Sequence, residues 1–245
     1  MPEPCVFLTM FVALALVDGS LVWLLVRTGG SVRPLSVSDL DAVEAPPVRP
    51  LKPGGAHAVS LLETVGAGAE LERAIAAMAW LLDKPRCVAD AAVEYRGPER
   101  TLAAYERGEG ALCGELAATF RHVLATLGFA SRLVQVQRNL FDRGDIHLLV
   151  EARIDGRWVL LDPTFNLLFR DPDGNPLGAQ GVRERVFKQG HGAVFPEFLG
   201  EVSYPPRAEA YYLYPLGLFN HVFVRLPTTH ALGRLPLLRQ LWGPR

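Results

Sequence analysis

The chain has 245 residues, 49% of them hydrophobic and 21% charged, a globular composition able to build one substantial core plus appendages. A formal net charge of −1 and the lack of any Lys/Arg block exclude a phosphate-tracking surface, and with it a nucleic-acid partner. Cys5, Cys87 and Cys113 are too few and too scattered for a disulfide framework, and no Cys-x-x-Cys or paired Cys/His spacing suggests zinc.

The first element is the apolar run CVFLTMFVALALVDGSLVWLLV, Cys5 to Val26. As a helix it would reach about 33 Å, enough for a bilayer core of roughly 30 Å. Asp18 interrupts it at a cost of about 2.5 to 3.5 kcal/mol on insertion scales, which the apolar neighbours offset. A cleaved signal peptide would want Lys or Arg ahead of the run, and only Glu3 precedes it. Residues 1–27 therefore read as a single-pass membrane anchor, with a signal peptide or a buried helix as the alternatives. Arg27, Arg33, Arg49 and Lys52 follow the span, which favours a cytoplasmic domain by the positive-inside rule.

Residues 28–56 are rich in Pro, Gly and polar residues without sustained periodicity and read as a flexible linker. Residues 57–228 form the expected domain. In AELERAIAAMAWLLDK, Leu71, Ile75, Met78 and Leu82 recur at helical spacing until Pro85 stops the pattern, a stripe that reads as core. A short helix fits Arg100 to Arg107. After Cys113 the stripe Leu116, Phe120, Val123, Leu124, Leu127 predicts another helix, with Gly128 at a left-handed C-terminal cap. Cys113 thus stands in the first turn, where the partial positive charge of a helix N-terminus favours thiolate over thiol. A free cysteine so placed is either a small buried hydrophobe or a nucleophile, and its neighbours in space decide which. Glu115 complements the dipole of the same turn.

Downstream, HLLVEARIDGRWVLLDPTF alternates like a β-hairpin around the two-residue turn Asp155–Gly156. With that loop, Ile154 pairs with Arg157, Ala152 with Val159, Val150 with Leu161 and Leu149 with Asp162. One face, carrying Leu148, Val150, Ala152, Ile154, Val159 and Leu161, is expected to be the buried one. The other carries His147, Trp158, Leu160 and Asp162. His147 and Asp162 become diagonal neighbours about 7 to 8 Å apart in backbone, within reach of an imidazole–carboxylate contact. Pro163 ends the strand and leaves the carboxylate at its mouth. A cysteine nucleophile needs a base, and the base needs an acceptor that fixes its tautomer; the hairpin carries both. The strand RLVQVQ, Arg132 to Gln137, connects the helix to the hairpin, and the His147 ring is expected between the Cys113 sulfur and the Asp162 carboxylate.

The run GALCGELAATFRHVLATLGFASRLVQVQ followed by DIHLLVEARIDGRWVLLDPTFN resembles the core of the transglutaminase-like superfamily over Gly108 to Asn166, of the bacterial membrane-anchored type. The Gly-x-Cys helix, the strand opened by histidine and the Trp-x-x-x-Asp-Pro-Thr strand carry the resemblance. It implies an α+β, papain-like fold with the nucleophile helix packed on an antiparallel sheet, and a triad of Cys113 as nucleophile, His147 as acid/base and Asp162 as orienter. Cys113 is followed by glycine, where many members have an aromatic or basic residue, and His147 by Leu-Leu, where Ala-Trp is frequent. The implied activity is cysteine-dependent acyl transfer on a peptide or protein amide, as a peptidase, amidase or deamidase rather than a crosslinker, with no metal or organic cofactor. The alternative is a non-catalytic peptide- or glycan-binding accessory module of a cell-envelope assembly. An envelope role implies an exported domain, against the charge asymmetry around the span.

Of the remaining features, His122 reads as a satisfied structural histidine, and Asp142 and Asp145 as a solvated loop. DPDGNPLG, Asp171 to Gly178, lacks the alternating ligands of a calcium loop and reads as a turn. The tail 229–245 combines Leu and Trp with Arg and no acid, suited to a membrane surface or to packing against the domain.

Overall fold

The computed structural model describes residues 44–84, 97–109, 112–137, 146–200 and 221–225, together with the backbone of Val32–Pro34. The chain divides into the unit Pro34–Arg225 and a second made of Met1–Arg33 and Leu226–Arg245. The apolar span Cys5 to Val26, the loop with Asp142 and Asp145, and the basic tail lie outside the described residues. Among the described residues, no helix is long and apolar enough to cross a membrane.

In chain order the unit Pro34–Arg225 holds α1 (Ala56–Val65), α2 (Glu70–Leu82), α3 (Pro98–Glu106), α4 (Cys113–Thr126), β1 (Ser131–Gln137), β2 (Ile146–Ile154), β3 (Arg157–Asp162), β4 (Leu167–Arg170), α5 (Ala179–Gln189), β5 (Phe195–Phe198) and β6 (His221–Arg225). The strands lie in the order β6-β1-β2-β3-β4-β5, and the pairs from β6 to β5 are all antiparallel. The architecture is α+β, with α4 packed on β1 and β2.

The helices follow their local chemistry. Pro98 occupies the first turn of α3, where its missing N–H costs nothing, so this helix begins two residues before the expected Arg100. In α4, Leu116, Phe120, Val123, Leu124 and Leu127 are all buried. Gly128 takes a positive φ of 88°, and Phe129 N–H closes back on Leu124 O, as in a Schellman cap. In α2 the inward face is rotated from the expected stripe: Ala74, Ala77, Met78 and Leu81 are buried, while Leu71, Ile75 and Leu82 flank them. The alanines present little bulk, so the α2 backbone can approach its neighbours more closely than a leucine stripe would permit.

The β2–β3 hairpin has the register set by its turn. Val150 faces Leu161, Ala152 faces Val159 and Ile154 faces Arg157, while Asp155 and Gly156 adopt the positive φ values, 47° and 76°, of a tight two-residue loop. The expected burial of one face needs correction, because both faces are covered. Leu148, Val150, Ala152 and Leu161 meet the helices α1, α2 and α4. Leu149 and Leu160 on the other face are equally buried, packed with Val134 and Val136 beneath Ala179 and Val182 of α5. The sheet is a middle layer, which is why Leu149 and Leu160 break the alternation.

Part of the stretch read as a linker is fastened to the domain. Leu51 is buried and donates its N–H to Thr126 Oγ1 (2.9 Å), and Arg121 reaches the Pro46 carbonyl (3.1 Å). His122 Nδ1 meets the Arg49 carbonyl at 2.6 Å, so it serves as a structural histidine. Residues 171–175 form a turn in which Asp171 Oδ1 accepts the N–H groups of Asp173 and Asn175.

Candidate active site

The first turn of α4 supplies Cys113. Leu112 is extended, and its N–H donates to Glu115 Oε2 at 3.1 Å, which fixes where the helix starts. This turn lies over β2: a Cβ built on Gly114 would stand 3.4 Å from Leu148 Cδ1, in ordinary contact. Cys113 is half-buried, and the His147 side chain and the Leu148 backbone both bear on its thiol.

Pairing of β2 with β3 ends at Val150–Leu161, and the expected partnership of Leu149 with Asp162 is not made. Leu148 lies beyond the last pair, and its backbone helps to lower the Cys113 thiol pKa.

His147 and Asp162 share a sheet face at the parted end of the hairpin. His147 Nε2 lies 2.7 Å from Asp162 Oδ2, with both residues buried. The other carboxylate oxygen, Oδ1, accepts the N–H groups of Thr164 (2.8 Å) and Phe165 (3.2 Å) from the turn that follows Pro163. With Nε2 engaged by Asp162, Nδ1 is the nitrogen left for the thiol. The imidazole thus stands between Cys113 and Asp162, and all three residues singled out in the sequence come together.

The electrostatics follow from this order. Burial alone would depress the His147 pKa, but the charge and hydrogen bond of Asp162, with a further contribution from Cys113, push it up to about 10. Burial raises the Cys113 thiol, yet the hydrogen bond and charge of His147 and the Leu148 N–H outweigh both that and the repulsion from Asp162, so it lies below its ordinary value. The arrangement makes the thiol more acidic and the imidazole more basic than either would be alone.

Residues 59–163 match the model of the transglutaminase-like superfamily, a stretch that runs from α1 to Pro163 and contains Cys113, His147 and Asp162. Residues 59–163 are a transglutaminase-like core. Among solved structures, the chain is similar to a candidate cysteine protease from Cytophaga hutchinsonii at 13% identity and a TM-score of 0.38, covering 62% of this chain and 49% of that one. It is also similar to a candidate protease from Parabacteroides distasonis at 18% identity and a TM-score of 0.34, covering 43% of this chain and 22% of that one. The chain thus spans less than half the length of either protein. No curated protein matches it.

Two participants of the site were not singled out from the sequence. One is the Leu148 N–H, since a backbone donor is not encoded by residue type. The other is Phe165, whose ring lies 5.2 Å from the His147 ring at an interplanar tilt of 45°. Its position three residues after Asp162, on the same turn, was the available clue.

Proposed function

We propose that this chain is a cysteine-dependent acyl-transfer enzyme acting on amide bonds, with Cys113 as nucleophile, His147 as acid/base and Asp162 as orienter. The observation that supports it is the two-sided engagement of one imidazole, with a carboxylate at Nε2 and a thiol on the other side. The Cys113 thiolate attacks the carbonyl carbon, forming a C–S bond while the C=O π electrons move to oxygen. The Cys113 N–H, one of the donors a helix start leaves without an intrahelical acceptor, is the group we assign to stabilise that oxyanion. As the oxyanion collapses, the C–N bond breaks and the His147 imidazolium gives its proton to the leaving amine. A thioester remains, and neutral His147 then takes a proton from water as it attacks, releasing the carboxylic acid and restoring the ion pair.

Water is the favoured acceptor. The span Cys5 to Val26 reads as a membrane anchor, and a crosslinker gains little from being tethered to one membrane. The full-length chain should accordingly stay in the membrane fraction through high-salt and carbonate washes, since a buried apolar helix does not depend on ionic attraction. Release by either wash would remove the anchor and the argument for hydrolysis built on it.

The deciding experiment traps the acyl-enzyme. Peptide amides carrying an electrophilic acyl group are incubated with the full-length protein and the adduct is mapped by mass spectrometry. A thioester or irreversible adduct on Cys113 supports the enzyme reading. A Cys113 that is modified only after denaturation would leave the peptide- or glycan-binding accessory module as the surviving reading.

A further inference from the structure

Besides its hydrogen bond to Asp162 and its thiol neighbour Cys113, the His147 ring has an aromatic neighbour: the Phe165 ring, itself buried, lies 5.2 Å from the imidazole at a 45° tilt. Its backbone N–H donates to Asp162 Oδ1 at 3.2 Å, so one residue touches both the imidazole and the carboxylate. Its side chain is rooted in the apolar layer with Leu149, Leu160 and Leu167, which gives the contact a fixed base.

We infer that Phe165 is a positioning residue, whose ring holds the His147 imidazole in the orientation that lets it engage Asp162 and Cys113 together. This rests on the proposed roles of those three residues. An aromatic face turned toward a buried imidazolium favours its charge. The titratable groups that bear on the imidazole are Cys113 from α4 and Asp162 from the end of β3. Loosening the ring weakens the imidazolium, and the thiolate it supports becomes harder to form.

Phe165→Leu preserves most of the apolar volume and removes the aromatic face. The rate of Cys113 alkylation by iodoacetamide is followed against pH in the full-length protein, with the Cys113 peptide quantified by mass spectrometry so that Cys5 and Cys87 do not contribute. Urea midpoints report the folded fraction, and Phe165→Met replaces the leucine variant if that variant does not fold. The expected result is an acid limb moved toward the ordinary thiol value of about 8.5, at an unchanged folded fraction. In turnover, kcat should fall roughly tenfold to a hundredfold with KM nearly constant, as for a misplaced catalytic group. An ordinary thiol titration in the unsubstituted protein would sink the reading of the site and this inference with it. A low acid limb that both substitutions leave in place would overturn the inference alone.

Discussion

Two buried pairs of opposite charge sit on the same face of β2. Glu151 is joined to Arg132 of β1, and His147 to Asp162 of β3, each across 2.7 Å with almost no exposure of either side chain. The Arg132 guanidinium lies 4.0 Å over the Trp158 ring, and Glu151 spends its second oxygen on the Ala179 N–H at the start of α5. That oxygen leaves no room for a side chain at Gly178, where a Cβ would stand 2.9 Å from it and 2.8 Å from the Trp158 carbonyl oxygen. Arginine does not give up its proton in a protein, so this pair is fixed and ties the sheet to α5. The imidazole of the other pair can lose its proton, and its remaining nitrogen faces a thiol. The same attraction therefore serves scaffold at one end of β2 and chemistry at the other, and what separates them is whether the cation can change its charge.

Breaking the chemical end at its nucleophile has the largest expected effect. Cys113→Ala should abolish turnover while stability stays within about 1 kcal/mol, because the residue starts a helix and fills little volume. Parallel assays of hydrolysis and urea unfolding check this, and undiminished hydrolysis would end the thiol mechanism.

The scaffold pair should respond in the opposite sense. Glu151→Ala deprives a buried guanidinium of its carboxylate and α5 of its first N–H acceptor, at a cost of about 3 to 5 kcal/mol. The urea midpoint should fall steeply, whereas the pH dependence of Cys113 alkylation in the fraction that remains folded should not move. A shifted alkylation profile would mean that the two pairs are coupled rather than separate.

Asp162→Asn sharpens the contrast from the chemical side. It keeps the shape of the side chain but removes the charge that holds His147 up at about 10, so the alkaline limb of kcat/KM moves to lower pH. With a weaker imidazolium, Cys113 ionises at higher pH and the acid limb rises, so the active window narrows from both sides. The rate at the plateau should drop about 10²- to 10⁴-fold, the range typical of lost acid–base function. A plateau of unchanged width, measured over the same buffers, would rule out Asp162 as the orienter.

What could be read from the sequence depended on how local the determinants were. The register of β2 and β3 was legible because Asp155–Gly156 admits one turn and the turn fixes every pair up to Val150–Leu161. The start of α4 at Cys113 was legible from its stripe and its terminal glycine. The second covered face was not, because α5 lies outside the hairpin, beyond β4, and nothing within the hairpin announces a helix above Leu149 and Leu160. The strap at residues 46–52 was missed for a related reason: it is held by backbone groups meeting Arg121, His122 and Thr126, and irregular backbone carries no period. The site was legible in its side chains and silent in its backbone, as the Leu148 N–H illustrates.

The two-residue loop at Asp155–Gly156 also bears on the order in which the site can assemble. His147 and Asp162 are separated by 15 positions and are brought together by closing one short hairpin. Cys113 lies farther back and arrives only when a separately formed helix docks on the finished strands, a closure that is entropically dearer and slower. In the unfolded chain its thiol has the ordinary pKa of about 8.5 and is mostly protonated at neutral pH. The lowered thiol pKa is thus conferred by docking, so a chain in which α4 has not yet met His147 carries a comparatively inert cysteine.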